Sequence, residues 1–452
     1  MYFVAALIAV AALANAAPRP EQVHIAFHGD HTMMAVHWTT FEYDNAQVKY
    51  GTSPSNLQFT ATDEGVKKWT SGASERYSHK AMMRNLQPST TYYYQIGTRQ
   101  FSFKTMAANP QTYKVCIFGD LGYFHGNSTE SLLRNGLAGK FDFIVHLGDI
   151  AYDLHSKNGS VGDDYMNQLE PLISKVPYMV VAGNHEDDGK NFTDYQERFW
   201  MPDNGYGDSQ FYSFDIGPIH WVGISAEYYG YYYAYGMGPV LAQYEWLNND
   251  LKLATANRAT TPWILTFQHR PFYCSNINSA ECQAFENRLI RTGWLDMPGL
   301  EPLFLQYGVD MGFWGHEHSY ERFYPIADRQ YWNETDAYVN PKAPVYVISG
   351  SAGCHSAHAW FSDSPWPFSA SRSNDYGYAI LTVANATHLH LEQISIEKDD
   401  TPVDDFWIVK TNANVHSQAM RAQFPGWKFP STKCHPKNVA CRMSLQQLNE
   451  EL

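Results

Sequence analysis

Short runs in which apolar and polar residues alternate fill the first hundred positions of this chain, and almost unbroken apolar runs replace them afterwards. In the first stretch, MMAVHWTT (33–40), AQVKYGTS (46–53) and TTYYYQIGT (90–98) are separated by Asp, Asn, Gly, Ser and Pro. Alternation with period two sets one face on a core and the other toward water. Several short strands at this spacing predict an all-β sandwich over residues 20–107. From Tyr113 the runs YKVCIF, FDFIVHL, PYMVVA, PWILTF and VDMGFW are apolar nearly throughout. That pattern fits strands covered on both faces. Helical patterns fall between them, at 128–139 and 163–174. Strand–helix alternation predicts an α/β domain over 112–405, a layered β-sandwich flanked by helices. Within it, PVYVISG, YAILTV and HLHLEQISI (343–398) are expected to complete one sheet, and residues 406–452 form a less readable tail.

The polar residues that interrupt the apolar runs carry the chemistry. Asp120 closes GD (119–120), and Asp149 and Tyr152 lie in GDIAYD (148–153). Asn184 and His185 lie in GNHE (183–186), His269 in QHR (268–270), and His316 and His318 in GHEH (315–318). One Gly-Asp after a strand is ordinary turn or cap chemistry. Five such motifs in series, each at the end of an apolar run, are not explained by caps. Two carboxylates, an amide, three imidazoles and a phenol suit a pair of hard-to-borderline metal ions. Two ions about 3.5–4 Å apart can clamp both the attacking and the leaving oxygen of a phosphoryl displacement. The glycines let the backbone turn sharply and bring the next side chain close to the ions. His316 and His318, one residue apart on an extended segment, are expected to point the same way and reach different ions.

Composition narrows the class. The chain has 452 residues, 44% of them hydrophobic, with Lys+Arg 32 against Asp+Glu 46 for a formal charge of −14. No basic run stands out, so nucleic acid is not an expected partner. Full protonation of the 19 histidines would carry −14 to +5, which makes an acid compartment attractive for an anionic substrate. The N-terminal apolar run to Leu13, followed by Ala14-Asn15-Ala16, Pro18 and Pro20, reads as a signal peptide over 1–17. No later stretch has the length of a membrane span. Sequons at Asn127, Asn158, Asn191, Asn333 and Asn385 agree with export as a secreted or lysosomal glycoprotein. Of the six cysteines, Cys274/Cys282 and Cys434/Cys441 are spaced for local disulfides, Cys116 reads as a buried thiol, and Cys354 has no obvious partner.

The series GD, GDIAYD, GNHE, QHR and GHEHSYER resembles the purple acid phosphatases within the calcineurin-like metallophosphoesterases, over roughly residues 20–405. LQPSTTYYYQIG in the first domain resembles the end of a fibronectin type III module, whose tyrosines anchor a strand. The family resemblance implies that Asp120, Tyr152 and His318 hold Fe(III), and that Asn184, His269 and His316 hold a divalent zinc, manganese or iron ion. It implies that Asp149 bridges the two. Many metallophosphoesterases carry GDxH where this chain has Gly119-Asp120-Leu121-Gly122, and Tyr152 is placed to replace the missing histidine. The implied activity is hydrolysis of small phosphate monoesters by in-line attack of metal-bound hydroxide, with His185 binding phosphate or protonating the leaving group. Larger family members often carry a histidine pair shortly after the QHR histidine, whereas PFYCSNINSAEC has none here. The alternatives are a phosphodiesterase or nucleotide pyrophosphatase on the same scaffold, or a non-enzymatic iron-binding glycoprotein. Redox chemistry at the iron is a possible side activity.

Overall fold

The computed structural model describes residues 18–277, 282, 285–354 and 358–412. The expected signal peptide, the Cys434/Cys441 pair and most of the expected tail lie outside the described residues. The period-two segments form two four-stranded antiparallel sheets. One pairs Glu21–Ala26, Met34–Thr40, Ser74–Met83 and Thr62–Ser71, and the other pairs Phe59–Thr60, Val48–Gly51, Thr91–Ile96 and Arg99–Lys104. Val36, Trp38, Tyr50, Tyr92 and Ile96 are buried between them. The tyrosines also tie chain to chain: Tyr92 Oη accepts the Gln87 N–H at 2.9 Å, and Tyr50 donates to the Arg84 carbonyl at 2.8 Å.

The apolar runs after Tyr113 build two further sheets. Tyr113–Phe118, Phe143–His146 and Tyr178–Val180 pair in parallel in a six-stranded sheet. Ile219–Gly223, Trp263–Gln268, Met311–Trp314 and Val345–Ser349 pair in parallel in a seven-stranded one. The helices at Thr129–Leu137 and Ser160–Ile173 fall where the periodicity puts them. The segment after 343 departs from expectation. Val345–Ser349 and Ser369–Ser373 join the seven-stranded sheet, whereas Gly377–Asn385, His388–Ser395 and Thr401–Val409 complete the six-stranded one. The chain therefore crosses between sheets, and its last strand runs past residue 405, because Thr401–Val409 finds its partner edge on His388–Ser395.

The first sandwich is not a loosely tethered unit. One apolar cluster runs from Val23, Val36 and Ile96 to Val115, Val145 and Leu381. Buried charge fixes the contact: Arg76 and Arg198 both bind Asp163, at 2.5 and 2.8 Å, and Arg99 pairs with Glu170. Breaking such a pair leaves an uncompensated buried charge, so the interface tolerates little change. Burial also revises the histidine charge count. Burial pushes His24 down to about 4 and His146 to about 3, and His37 lies well below the usual range for the same reason. The full swing to +5 is thus not available in mild acid.

Candidate metal centre

The carboxyl ends of the parallel strands of both sheets meet at one place, and the candidate side chains converge there. Asp120 follows Tyr113–Phe118, Asp149 follows Phe143–His146, and Asn184 follows Tyr178–Val180. Across from them His269 follows Trp263–Gln268, and His316 follows Met311–Trp314. Parallel sheets collect their loops at the carboxyl ends, which is why ligands fall there.

The loops approach so closely that side chains at the strand-end glycines have no room. A Cβ on Gly148 would lie 2.6 Å from Gly183 N and 2.7 Å from His269 Nδ1. The glycines therefore serve contact between loops as much as turning. Asp120, Asp149, Tyr152 and His316 all have positive φ, between 50° and 70°. Left-handed backbone at four non-glycine residues costs energy and is held only where surroundings over-determine it, typically at functional sites. The extended HEH segment expected from spacing is absent. His316 is left-handed with φ 70°, and the motif is a bend whose two imidazoles diverge to opposite halves of the centre.

In one half, Asn184 Oδ1 lies 3.0 Å from His269 Nε2 and 2.9 Å from His316 Nδ1, and those ring nitrogens are 3.2 Å apart. Asp149 Oδ1 is 3.4 Å from His269 Nε2. His269 Nδ1 faces the Leu147 carbonyl at 2.7 Å, which turns the Nε2 lone pair of the neutral ring inward. In the other half, Tyr152 Oη lies 2.8 Å from His318 Nε2 and 3.4 Å from Asp120 Oδ1. Donor atoms of Asp149, His269 and His316 lie within 4.8 Å of one another, as do those of Asp120, Asp149 and His318. Asp149 belongs to both sets.

This donor set fits a pair of metal ions. The carboxylates are fully buried and need compensating positive charge. Burial disfavours the charged rings, yet Asp149 pulls His269 up to about 10 and Asp120 pulls His318 up to about 11. Metal ions would supply that compensating charge on binding these donors. All seven residues expected from the sequence as ligands are brought together.

His185 stands beside this set. Its backbone N–H donates to Asp149 Oδ1 at 2.9 Å, its Nδ1 meets Asp153 Oδ1 at 2.9 Å, and its ring packs edge-on against Tyr152. Burial lowers its basicity, but the Asp153 hydrogen bond and the Asp149 charge outweigh this and push it up to about 9. Three further residues were not anticipated. The buried Glu186 accepts the backbone N–H groups of Gly183, Asp149 and Ile150 at 2.7–2.9 Å, and so pins together the loops that carry Asp149 and Asn184. Its only sequence signal is the last letter of GNHE. Arg270 and Glu227 form an ion pair next to His269. Arg270 is visible in QHR, but nothing local marks Glu227. Elsewhere, Cys274 and Cys282 form the expected disulfide. Cys116 and Cys354 are buried and outside disulfides, with Cys354 Sγ 3.8 Å from Tyr376 Oη.

The chain is similar to known proteins over most of its length. Residues 113–320 match the calcineurin-like phosphoesterase family, residues 20–106 the N-terminal domain of purple acid phosphatases, and residues 343–405 the iron/zinc purple acid phosphatase-like protein C family. Acid phosphatase type 7 of Homo sapiens is 39% identical over 402 residues, covering 86% of this chain and 91% of that protein. Purple acid phosphatase 15 of Arabidopsis thaliana is 31% identical, covering 74% and 68%. In fold, a purple acid phosphatase from yellow lupin seeds superposes with a TM-score of 0.74 at 23% identity, over 88% of this chain and 76% of that one.

Proposed function

This chain belongs to the purple acid phosphatases, and on that premise we propose which of its side chains hold and serve the dinuclear metal centre. The chain is an acid phosphatase that hydrolyses phosphate monoesters, so the non-enzymatic alternative falls. Asp120, Tyr152 and His318 would hold Fe(III), Asn184, His269 and His316 would hold a divalent ion (zinc, manganese or iron), and Asp149 would contribute to both sites. The division follows donor chemistry, since a phenolate is a hard anionic donor while imidazoles and an amide oxygen suit a borderline divalent ion. When bound, the ions supply Lewis acidity toward the phosphoryl group and lower the pKa of water toward neutrality.

The protein's own groups do the rest. Glu186 holds the Asp149 and Asn184 loops in register through three backbone N–H groups. His185, with Nδ1 on Asp153 and its side chain 32% exposed, serves to bind a phosphoryl oxygen or protonate the leaving group. The observation that carries the reading is the pair of donor sets with Asp149 in common.

We also read the chain as exported to the exterior or to a lysosome-like compartment, with residues 1–17 as its signal peptide. The asparagines of all five sequons are exposed, as glycan attachment requires.

The visible spectrum of the purified protein tests the centre. A phenolate-to-Fe(III) charge-transfer band is expected in the intact chain and should vanish in Tyr152→Phe. A colourless, iron-free but fully active preparation would remove Fe(III) and the Tyr152 role while sparing the hydrolase. Monoester and diester turnover compared at pH 5 tests the phosphodiesterase alternative.

A further inference from the structure

The substrate of this centre is an anion, yet the chain carries a formal charge of −14 and the centre itself holds two buried carboxylates. Attraction for a phosphate group therefore has to come from particular cations at the site, not from the surface as a whole. Arg270 is one, and its placement is elaborate. It follows His269 directly, and its guanidinium Nε lies 3.0 Å from both oxygens of Glu227. The Glu227 side chain is fully buried, while the Arg270 side chain stays 12% exposed. A Cβ on Gly230 would come 3.2 Å from Arg270 Nε and 3.4 Å from Glu227 Oε2, so the bare backbone there leaves room for the pair. The Gln268 amide donates to the Arg270 carbonyl at 2.7 Å, which fixes the main chain beneath it. The pair sits against the Asn184 and His269 half of the centre, since Arg270 adjoins His269 in the chain and Tyr231, next to Gly230, donates to the Asn184 carbonyl at 3.1 Å.

A buried arginine–glutamate pair is a poor way to gain stability, because desolvation offsets most of the attraction. It is a good way to aim a cation. An arginine presents five donors on a planar fork, so one edge can rest on a carboxylate while another meets an oxyanion. We propose that Arg270 is the fixed cation that takes the phosphate group of the substrate beside the divalent-metal half of the centre, with Glu227 as its positioning residue. This rests on the phosphatase reading above and deepens it. No histidine follows in PFYCSNINSAEC (271–282), so Arg270 is the cationic side chain that the QHR loop itself contributes.

The test uses the full chain loaded with metal. KM and kcat for 4-nitrophenyl phosphate, the inhibition constant of inorganic phosphate, metal content and Tm are measured for the natural chain and for Arg270→Met. The expected result is a rise of about 10-fold or more in KM and in the phosphate inhibition constant, the size of one lost charge-assisted hydrogen bond, with metal content held and Tm lowered because buried Glu227 loses its partner. Arg270→Lys should recover part of that loss. An unchanged inhibition constant in a metal-loaded Arg270→Met protein would overturn the proposal and leave Arg270 as an anchor for Glu227. Should that variant not fold, phenylglyoxal labelling of Arg270 in the natural chain decides. Labelling that inorganic phosphate blocks supports the role, and labelling indifferent to phosphate overturns it. A natural chain without turnover would instead sink the phosphatase reading, which keeps the two failures distinct.

Discussion

Two groups of histidines, one buried and one buried or half-buried, make a useful pair in this molecule. His24, His37 and His79 lie in the first sandwich, all nearly inaccessible, and His24 packs on Phe199 of the catalytic domain. His269, His316 and His318 lie at the strand ends. The first group behaves as flat, slightly polar core filler. His24 and His37 pack at 5.0 Å, His79 stacks on Trp38 at 4.9 Å, and neither ring nitrogen of His37 has a hydrogen-bond partner in the protein. Its neighbours are Glu170, Lys80 and Arg198 rather than a converging donor set. The second group points its nitrogens at one another, at a phenol, at an amide oxygen and at carboxylates, over distances of 2.8–3.5 Å. Burial alone says nothing about metal binding. What separates the two groups is whether the lone pairs meet at a common point together with negative charge.

The largest expected effect strikes the second group at its shared member. Asp149→Ala should lower turnover by more than about 10²-fold and strip metal from both halves, read by metal analysis beside kinetics. Loss of one ion alone would show that Asp149 does not join the halves. A smaller effect belongs to His185, which touches the centre without sitting among its donors. His185→Ala should cost about 10²-fold in kcat for alkyl phosphates, much less for 4-nitrophenyl phosphate, and leave metal content intact. Unchanged turnover of both would remove it from the mechanism.

The smallest effect concerns the first group and is one of stability. Burial holds His24 near 4 against 6.5 in the unfolded chain, and His37 is displaced in the same direction. Above pH 6.5 both states are neutral and nothing is lost. As the pH falls from 6.5 toward 4 the unfolded chain takes up protons that the folded one refuses, so stability drops across that window. For His24 the whole window is worth on the order of 3 kcal/mol. His37→Leu should flatten the fall in Tm between pH 7 and 5 and leave activity within about 2-fold. A variant with normal acid stability but lost activity would break the comparison. His220 works the other way. Burial opposes its charge, but Asp215 and Asp250 raise it to about 9, so its contribution is complete below pH 6.5 and fades above it.

The seven candidate ligands were legible because each stands one or a few residues beyond an apolar strand, and strand ends are where a parallel sheet delivers side chains to a common point. The first sandwich was legible from its alternation, and the two helices from theirs. Glu186 was not, since a glutamate after Asn-His reads as surface until three backbone N–H groups close on it. Glu227 lies 43 residues from its partner Arg270 in the chain, and no local pattern joins them. The division of the segment after 343 between two sheets was equally hidden. PVYVISG and YAILTV are alike as sequences, and only the neighbouring strand decides which sheet each joins.

Local composition by itself determined the elements, the order of the strand-end motifs and the chemical kind of the donors, because backbone preference and side-chain chemistry are properties of short stretches. The tertiary structure decided which histidines converge and which merely fill space. It also decided how the sandwich is clamped by Arg76, Asp163 and Arg198, and where Glu227 aims Arg270. Those outcomes depend on contacts between residues tens to more than a hundred positions apart. Their energies come from burying charge and packing rings in one shared interior, and nothing in a short stretch records who the neighbours will be.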